Sequence, residues 1–381
     1  MLIASTTFIV RSRCLVSLHH CFTESMFNRI TAAFLVVLAA SACTAKGDST
    51  SDTTSSAAKA ATTPSDTPPG SARTTASAAG VVTTGGNSAR IPNELGRIPV
   101  VEYHLITDHD ALYSREREHF KRDLEFIYQK GYRPVTISQL LDRKIDLPRG
   151  LSPVVFVFDD ASPSQFSYIE KNGQLEIDPN SGVGIWMDFR KTHPDWDNRA
   201  VFCMLSGAAA GRSLFGDKGI EGQKSEWRFK KVQWLKDQGF ELCNHTLWHA
   251  NLGKYSDAVV QEQIARGQMA IDSAVPGYKV RTFALPLGVW PKNRALAKSG
   301  SWTDPKTKQV VRYDNEAILE VSGGPTESPF DPRFNPLSIK RVQAVGNDIE
   351  KTLDLLEKNG TAYVSDGDPN TVAKPAVNGK K

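Results

Sequence analysis

Asp159 and Asp160 close the apolar run 154–158 (Val-Val-Phe-Val-Phe), and about eighty-five residues later comes His245-Thr246-Leu247-Trp248-His249. One carboxylate and two imidazoles form a donor set for a divalent cation, and a second carboxylate beside them can take a proton from water. Adjacent acids at a strand end point in different directions, so the pair can divide those two tasks. The two histidines share a face if their segment makes a helical turn. Alone, each pattern is commonplace: two aspartates after a strand usually make a turn or a cap, and a spaced histidine pair is usually structural. Their joint placement at the ends of separate expected strands points to metal-assisted hydrolysis.

The elements that must position these groups alternate. Residues 98–103 read as a first strand ending at His104. Ser114 is expected to cap a helix carrying Phe120, Leu124, Ile127 and Tyr128, with Gly131 as its stop. Residues 134–137 are a short extended piece, and Ser138 opens another helix. Residues 154–158 form an apolar strand of the kind buried on both faces in a parallel sheet. An insertion spans 161–198, with expected strands at 165–168 and 174–177 around Lys171-Asn172-Gly173 and a helix over 182–191. Strands follow at 200–205, 240–243 and 282–285, with helices over 227–238 and 258–273 between and after them. Residues 315–329, which include Ser322-Gly323-Gly324-Pro325, read as a loop over the site; 337–342 read as a late strand and 349–358 as the final helix. Such alternation argues for an α/β barrel or a doubly wound sheet, with catalytic groups at the carboxyl ends of strands.

The amino-terminal region reads differently. Met26 to Arg29 is a short charged start, an apolar stretch covers 30–40, and Ser41-Ala42 precede Cys43. That is a secretory leader, and the cysteine after small residues resembles a bacterial lipoprotein box, though Ala40 stands where that pattern prefers leucine. Lipid on Cys43 would anchor the chain to a membrane outside the cytoplasm, at the outer membrane or cell surface. Residues 1–25 precede this leader and read as a mis-assigned extension, with Met26 the true start. Ser, Thr, Ala, Gly and Pro dominate from Cys43 to residue 94, a composition too poor in apolar area to fold, so a disordered tether is expected there and a disordered tail at 371–381. The globular domain is expected over 95–370.

Lys and Arg total 46 against 42 Asp and Glu, with no basic block of five, so nucleic acid is not an expected partner. Of the five cysteines, Cys203 and Cys243 fall in the domain; buried thiols are the expectation and a cross-strand disulfide the alternative.

The order of segments resembles the polysaccharide deacetylases (the nodulation-deacetylase homology domain, carbohydrate esterase family four). Phe158-Asp159-Asp160-Ala161 is similar to that family's first motif, 239–249 to its second, and Phe283-Ala284-Leu285-Pro286-Leu287-Gly288 to its third. The resemblance covers about residues 97–365. It implies a distorted, incomplete (β/α) barrel that removes acetyl groups from N-acetylated sugars of an envelope or extracellular polysaccharide. By position it implies Asp160, His245 and His249 as ligands of a divalent metal, zinc before others, Asp159 as general base, and the Leu287 N–H as an oxyanion donor.

Three departures from the family pattern stand out. The glycine after the aspartates is Ala161, and the third motif's arginine is replaced by Ala284, leaving Arg281 or Arg341 to brace the base from elsewhere. No histidine follows His249, so the family's late acid has no counterpart. His104, at the end of the first strand, is the expected substitute as general acid or substrate contact. Trp248 and Trp290 could stack on sugar rings, although packing is the commoner role for each. The alternative function is a catalytically weak glycan-binding protein on the same fold.

Overall fold

The computed structural model describes residues 90–207, 213–216 and 218–375. The expected extension, leader, Cys43 and tether through residue 89 lie outside the described residues, as do 376–381.

Seven parallel strands close a ring: β1 (Val100–Tyr103), β2 (Ser152–Phe158), β3 (Val201–Met204), β4 (Glu241–Asn244), β5 (Thr282–Ala284), β6 (Ala317–Gly323) and β7 (Ile339–Gln343). Each pairs with the next in sequence, and β7 returns to β1 through Val101–Val342 and Glu102–Gln343. This is the expected (β/α) barrel, one strand short of eight. Its distortion has two local sources. The strand Tyr132–Pro134 pairs with the first half of β2, so β3 reaches only Val157 and Phe158 on the same edge. The register of β6 against β7 also shifts between Leu319 and Gly323.

Helices α1 (Arg117–Gln129), α2 (Gly182–Thr192), α3 (Arg228–Asp237), α4 (Asp257–Ala274) and α5 (Asp348–Lys358) surround the ring. Alternation along the strands sorts side chains into two sets. Val101, Tyr103, Phe156, Phe158, Phe202 and Leu242 pack outward against helix residues such as Phe120 and Trp186. Val100, Val155, Val157, Val201, Cys203, Cys243, Ala284, Leu319 and Ile339 fill the interior. All seven residues of β2 are buried, as its uninterrupted apolar run requires.

Several expectations need correction. Ser114 does not cap α1: Ser114–Glu116 pairs as a short strand with Leu105–Thr107, and the helix begins at Arg117. The short helix expected to open at Ser138 is Ile137–Leu141, opened by a capping box between Thr136 and Gln139. The expected loop at 315–329 contains β6; the Ser-Gly-Gly-Pro that follows hid the short apolar run Ala317-Ile318-Leu319. Residues expected in the tether and tail belong to the fold, since Asn93 bridges Val364 and the Glu94 N–H donates to the Ala373 carbonyl at 2.8 Å. Cys203 and Cys243 face each other in register on β3 and β4 and are joined as a disulfide, not left as thiols.

The insertion holds the expected hairpin, but its first strand is Tyr168–Lys171 rather than 165–168. Strands Tyr168–Lys171 and Gln174–Ile177 form a hairpin whose turn residues Asn172 and Gly173 both have positive φ, at 52° and 74°.

Candidate metal and hydrolytic site

The inward rows that fill the barrel change character at its carboxyl end. Val100 leads to Glu102 and His104, Val155 and Val157 to Asp159, Cys243 to His245, and Ile339 to Arg341. Period two alone therefore aims five polar side chains at one chamber.

After Asp159 the chain turns sharply, with φ of 80° at Asp160 and 46° at Ala161. A left-handed alanine costs about 1–2 kcal/mol that glycine would avoid, which gives the departure at Ala161 a physical meaning. The Ala161 carbonyl is held in that turn by the Phe215 N–H at 2.8 Å.

Asp160 Oδ1 lies 3.5 Å from His245 Nε2 and 3.6 Å from His249 Nε2. Two donors about 2.0–2.1 Å from a tetrahedral zinc sit roughly 3.4 Å apart, close to the separation of Asp160 Oδ1 from each imidazole nitrogen, and all three residues offer an atom within 4.8 Å of the others. His245 Nδ1 is paired with the Ala284 carbonyl at 2.9 Å, which fixes the ring and turns Nε2 toward the chamber. Burial, then the neighbouring His245, lowers His249 to about 4, so it is neutral and ready to ligate.

The two histidines do not share a helical turn. Residues 245–250 form an irregular loop in which Thr246 and His249 have φ of 74° and 62°. Side chains hold it: Asn244 Oδ1 accepts from Thr246 N at 2.9 Å, Thr246 Oγ1 from His249 N at 3.1 Å, and Gln263 Oε1 on α4 from Trp248 N at 3.2 Å.

Asp159 is almost fully buried, and its counter-charge is Arg341, whose Nη1 donates to Oδ2 at 2.9 Å. Burial alone would raise the Asp159 pKa; Arg341, followed by His245 and His104, brings it below the usual value. Arg281 is occupied elsewhere, by Asp142 and Glu316. Of the two arginines offered by the sequence, Arg341 is the brace.

Glu102 was not singled out in the sequence. Its Oε1 lies 2.8 Å from Arg341 Nη2 and 3.7 Å from His104 Nε2, and burial pushes it up to about 8 against the pull of Arg341. Of the two carboxyls that share Arg341, burial thus favours the neutral form at Glu102, while the guanidinium favours the anion at Asp159. An acid among the inward-facing residues of an apolar strand was the signal that could have found it. Glu102, His104 and Asp159 each offer an atom within 4.8 Å of the others, which places His104 beside Asp159. Burial lowers the His104 pKa, so its imidazole is neutral at rest.

Leu287 follows β5 in the turn Pro286–Gly288 with φ 58°, three residues beyond the carbonyl that holds His245. Trp248 is half-exposed between the histidines. Trp290 is engaged differently, with Nε1 3.2 Å from both Glu320 oxygens and Arg294 over its ring.

Residues 197–301 match the family model described as polysaccharide deacetylase, a span that holds both histidines and the third motif but begins after the aspartates. The match agrees with the resemblance carried by the motifs and makes residues 197–301 similar to the polysaccharide deacetylase family. Among solved structures it is similar to the Streptococcus pyogenes deacetylase PplD in complex with acetate, at 15% identity and TM-score 0.48 over 69% of this chain and 99% of that one. IcaB from Ammonifex degensii matches at 16% and 0.45, over 69% and 97% of the two chains. A polysaccharide deacetylase from Bacillus cereus matches at 16% and 0.47, over 68% and 69%.

Proposed function

We propose that the chain is a metal-dependent hydrolase that removes acetyl groups from N-acetylated sugars of an envelope or extracellular polysaccharide. The observation that carries this reading is the convergence of Asp160, His245 and His249 on one point, with Asp159 braced beside it by Arg341. Zinc suits one carboxylate and two imidazoles, and when bound there it would polarise the acetyl carbonyl and acidify water. Asp159, held as the anion by Arg341, takes the proton from the attacking water. The Leu287 N–H is assigned to the developing oxyanion. Collapse breaks the carbon–nitrogen bond, acetate leaves, and the sugar nitrogen takes up a proton to become the free amine. His104 contacts the substrate at the rim; as a neutral imidazole it can protonate the amine only after receiving a proton from Asp159 or Glu102 beside it.

Acetate release from chitooligosaccharides, peptidoglycan and an N-acetylglucosamine polymer, with and without added zinc, tests the reading. Zinc-dependent release is expected from at least one. No release from any of them with zinc bound would replace it by the glycan-binding alternative. For location, the leader and Cys43 support a lipid-anchored protein facing away from the cytoplasm. Labelling with a fatty-acid analogue, abolished by Cys43→Ala, is the expected result.

A further inference from the structure

We propose that Gln165, in the insertion after the aspartates, is a positioning residue that sets the spacing between His104 and Asp159. The inference rests on the roles assigned to those two residues above. The ladder between β1 and β2 ends where the Asp159 N–H donates to the Tyr103 carbonyl at 2.9 Å. Beyond that rung the two chains diverge, and the Gln165 side chain takes over. Its Nε2 donates to the His104 carbonyl at 2.6 Å and to the Asp159 carbonyl at 2.5 Å, so one amide group spans the residues assigned to the rim and the base. Gln165 is fully buried, and its Oε1 has no partner among the described residues. A donor pair placed there at the cost of an unpaired acceptor marks a position held for its two N–H bonds.

The backbone that carries this side chain is itself held. The Gln165 N–H donates to the Ser162 carbonyl at 3.0 Å, and its carbonyl accepts from Val183 N, in the first turn of α2, at 2.8 Å. One residue earlier, Ser164 Oγ accepts from Ile106 N at 3.1 Å and its carbonyl accepts from Gly182 N at 3.0 Å. The start of the insertion thus stitches the loop after β1, the loop after β2 and α2 into one unit. The side chain is neutral, so its hold does not depend on the charge of the metal site.

Gln165→Met keeps the length and removes both donors. With one zinc per chain retained, kcat is expected to fall about tenfold or more while KM stays within about threefold, because the reacting groups are misplaced and not lost. In a His104→Ala background the same change should cost less than about threefold, since the partner it positions is gone. A smaller fall in the single variant, or the full fall in the double, overturns the proposal. If Gln165→Met does not fold, Gln165→Asn decides on the same criteria: it keeps the amide but cannot span both carbonyls. A readout without turnover separates this inference from the functional reading. In a crystal structure of either variant the His104 and Asp159 carbonyls should move apart by about 1 Å or more. Unmoved carbonyls overturn the inference even in an active enzyme, whereas a silent wild type with zinc bound defeats the assigned reaction.

Discussion

Arg341 Nη1 sits 2.9 Å from Asp159 Oδ2 although 182 residues separate them in sequence. The second nitrogen of the same guanidinium lies 2.8 Å from Glu102. A planar fork can serve two carboxyl groups at once where an ammonium cannot. Arg341→Lys should therefore fold and bind zinc yet lose about tenfold to a hundredfold in kcat. Arg341→Met leaves a buried charge unpaired and should also lower unfolding free energy by about 3–5 kcal/mol, read by urea titration.

The three-donor cluster predicts tight metal dependence. His249→Ala and Asp160→Ala should each lose stoichiometric zinc on dialysis, measured by elemental analysis, whereas Asp159→Asn should keep it and lose acetate release. Zinc at about a hundredfold over its dissociation constant should add about 2.7 kcal/mol to the wild type and far less to the ligand variants.

His104 lies beside Asp159 and Glu102 without belonging to the ligand set. His104→Ala should lower acetate release by about 10²–10⁴ if the imidazole handles a proton. Activity within about twofold of wild type would reduce it to a packing histidine of the barrel rim.

Lys231 on α3 is fully buried and donates to the Phe215 carbonyl and to Gln223 Oε1, both at 2.7 Å. Burial, against a weaker pull from Glu221, lowers its ammonium to about 7. Between that value and the ordinary lysine range the unfolded chain binds more protons than the folded one. Stability should therefore rise with pH across this window, by up to about 1.4 kcal/mol per unit. Lys231→Met should flatten the rise, measured by urea unfolding from pH 7 to 9.

The bond between Cys203 and Cys243 closes a segment with a sequence separation of 40. In the chain-entropy account such a link adds about 4 kcal/mol. The Cys203→Ala, Cys243→Ala double variant should lose up to that amount while keeping zinc, because neither sulfur reaches the site. Loss of zinc would instead tie the bond to the placement of His245 on the strand Cys243 belongs to.

The convergence of Asp160, His245 and His249, with Asp159 beside them, was legible because carboxylates and imidazoles at or just beyond strand ends stand out in the sequence. Their local conformation was not legible. The left-handed φ at Ala161, Thr246 and His249 is imposed by tertiary hydrogen bonds, from Phe215 to the first turn and from Gln263 on α4 to the histidine loop. Glu102 and Arg341 needed the register between β1 and β7, which no local pattern encodes. Gln165 carried no signal at all: it read as the first residue of a hairpin strand, and nothing in the sequence shows two carbonyls closing on its side chain. For β6, the apolar run Ala317-Ile318-Leu319 is only three residues long before Glu320 interrupts it, and the neighbours β5 and β7 supply the rest of its case for pairing.

The strand bearing Arg341 is the last of the ring, while the base it steadies ends the second. A chain still emerging from the ribosome holds Asp159 and all three metal donors long before the guanidinium has been synthesised. On the proposed reaction, a product cut short ahead of residue 341 should release little acetate, because it lacks the guanidinium that holds Asp159 as the anion.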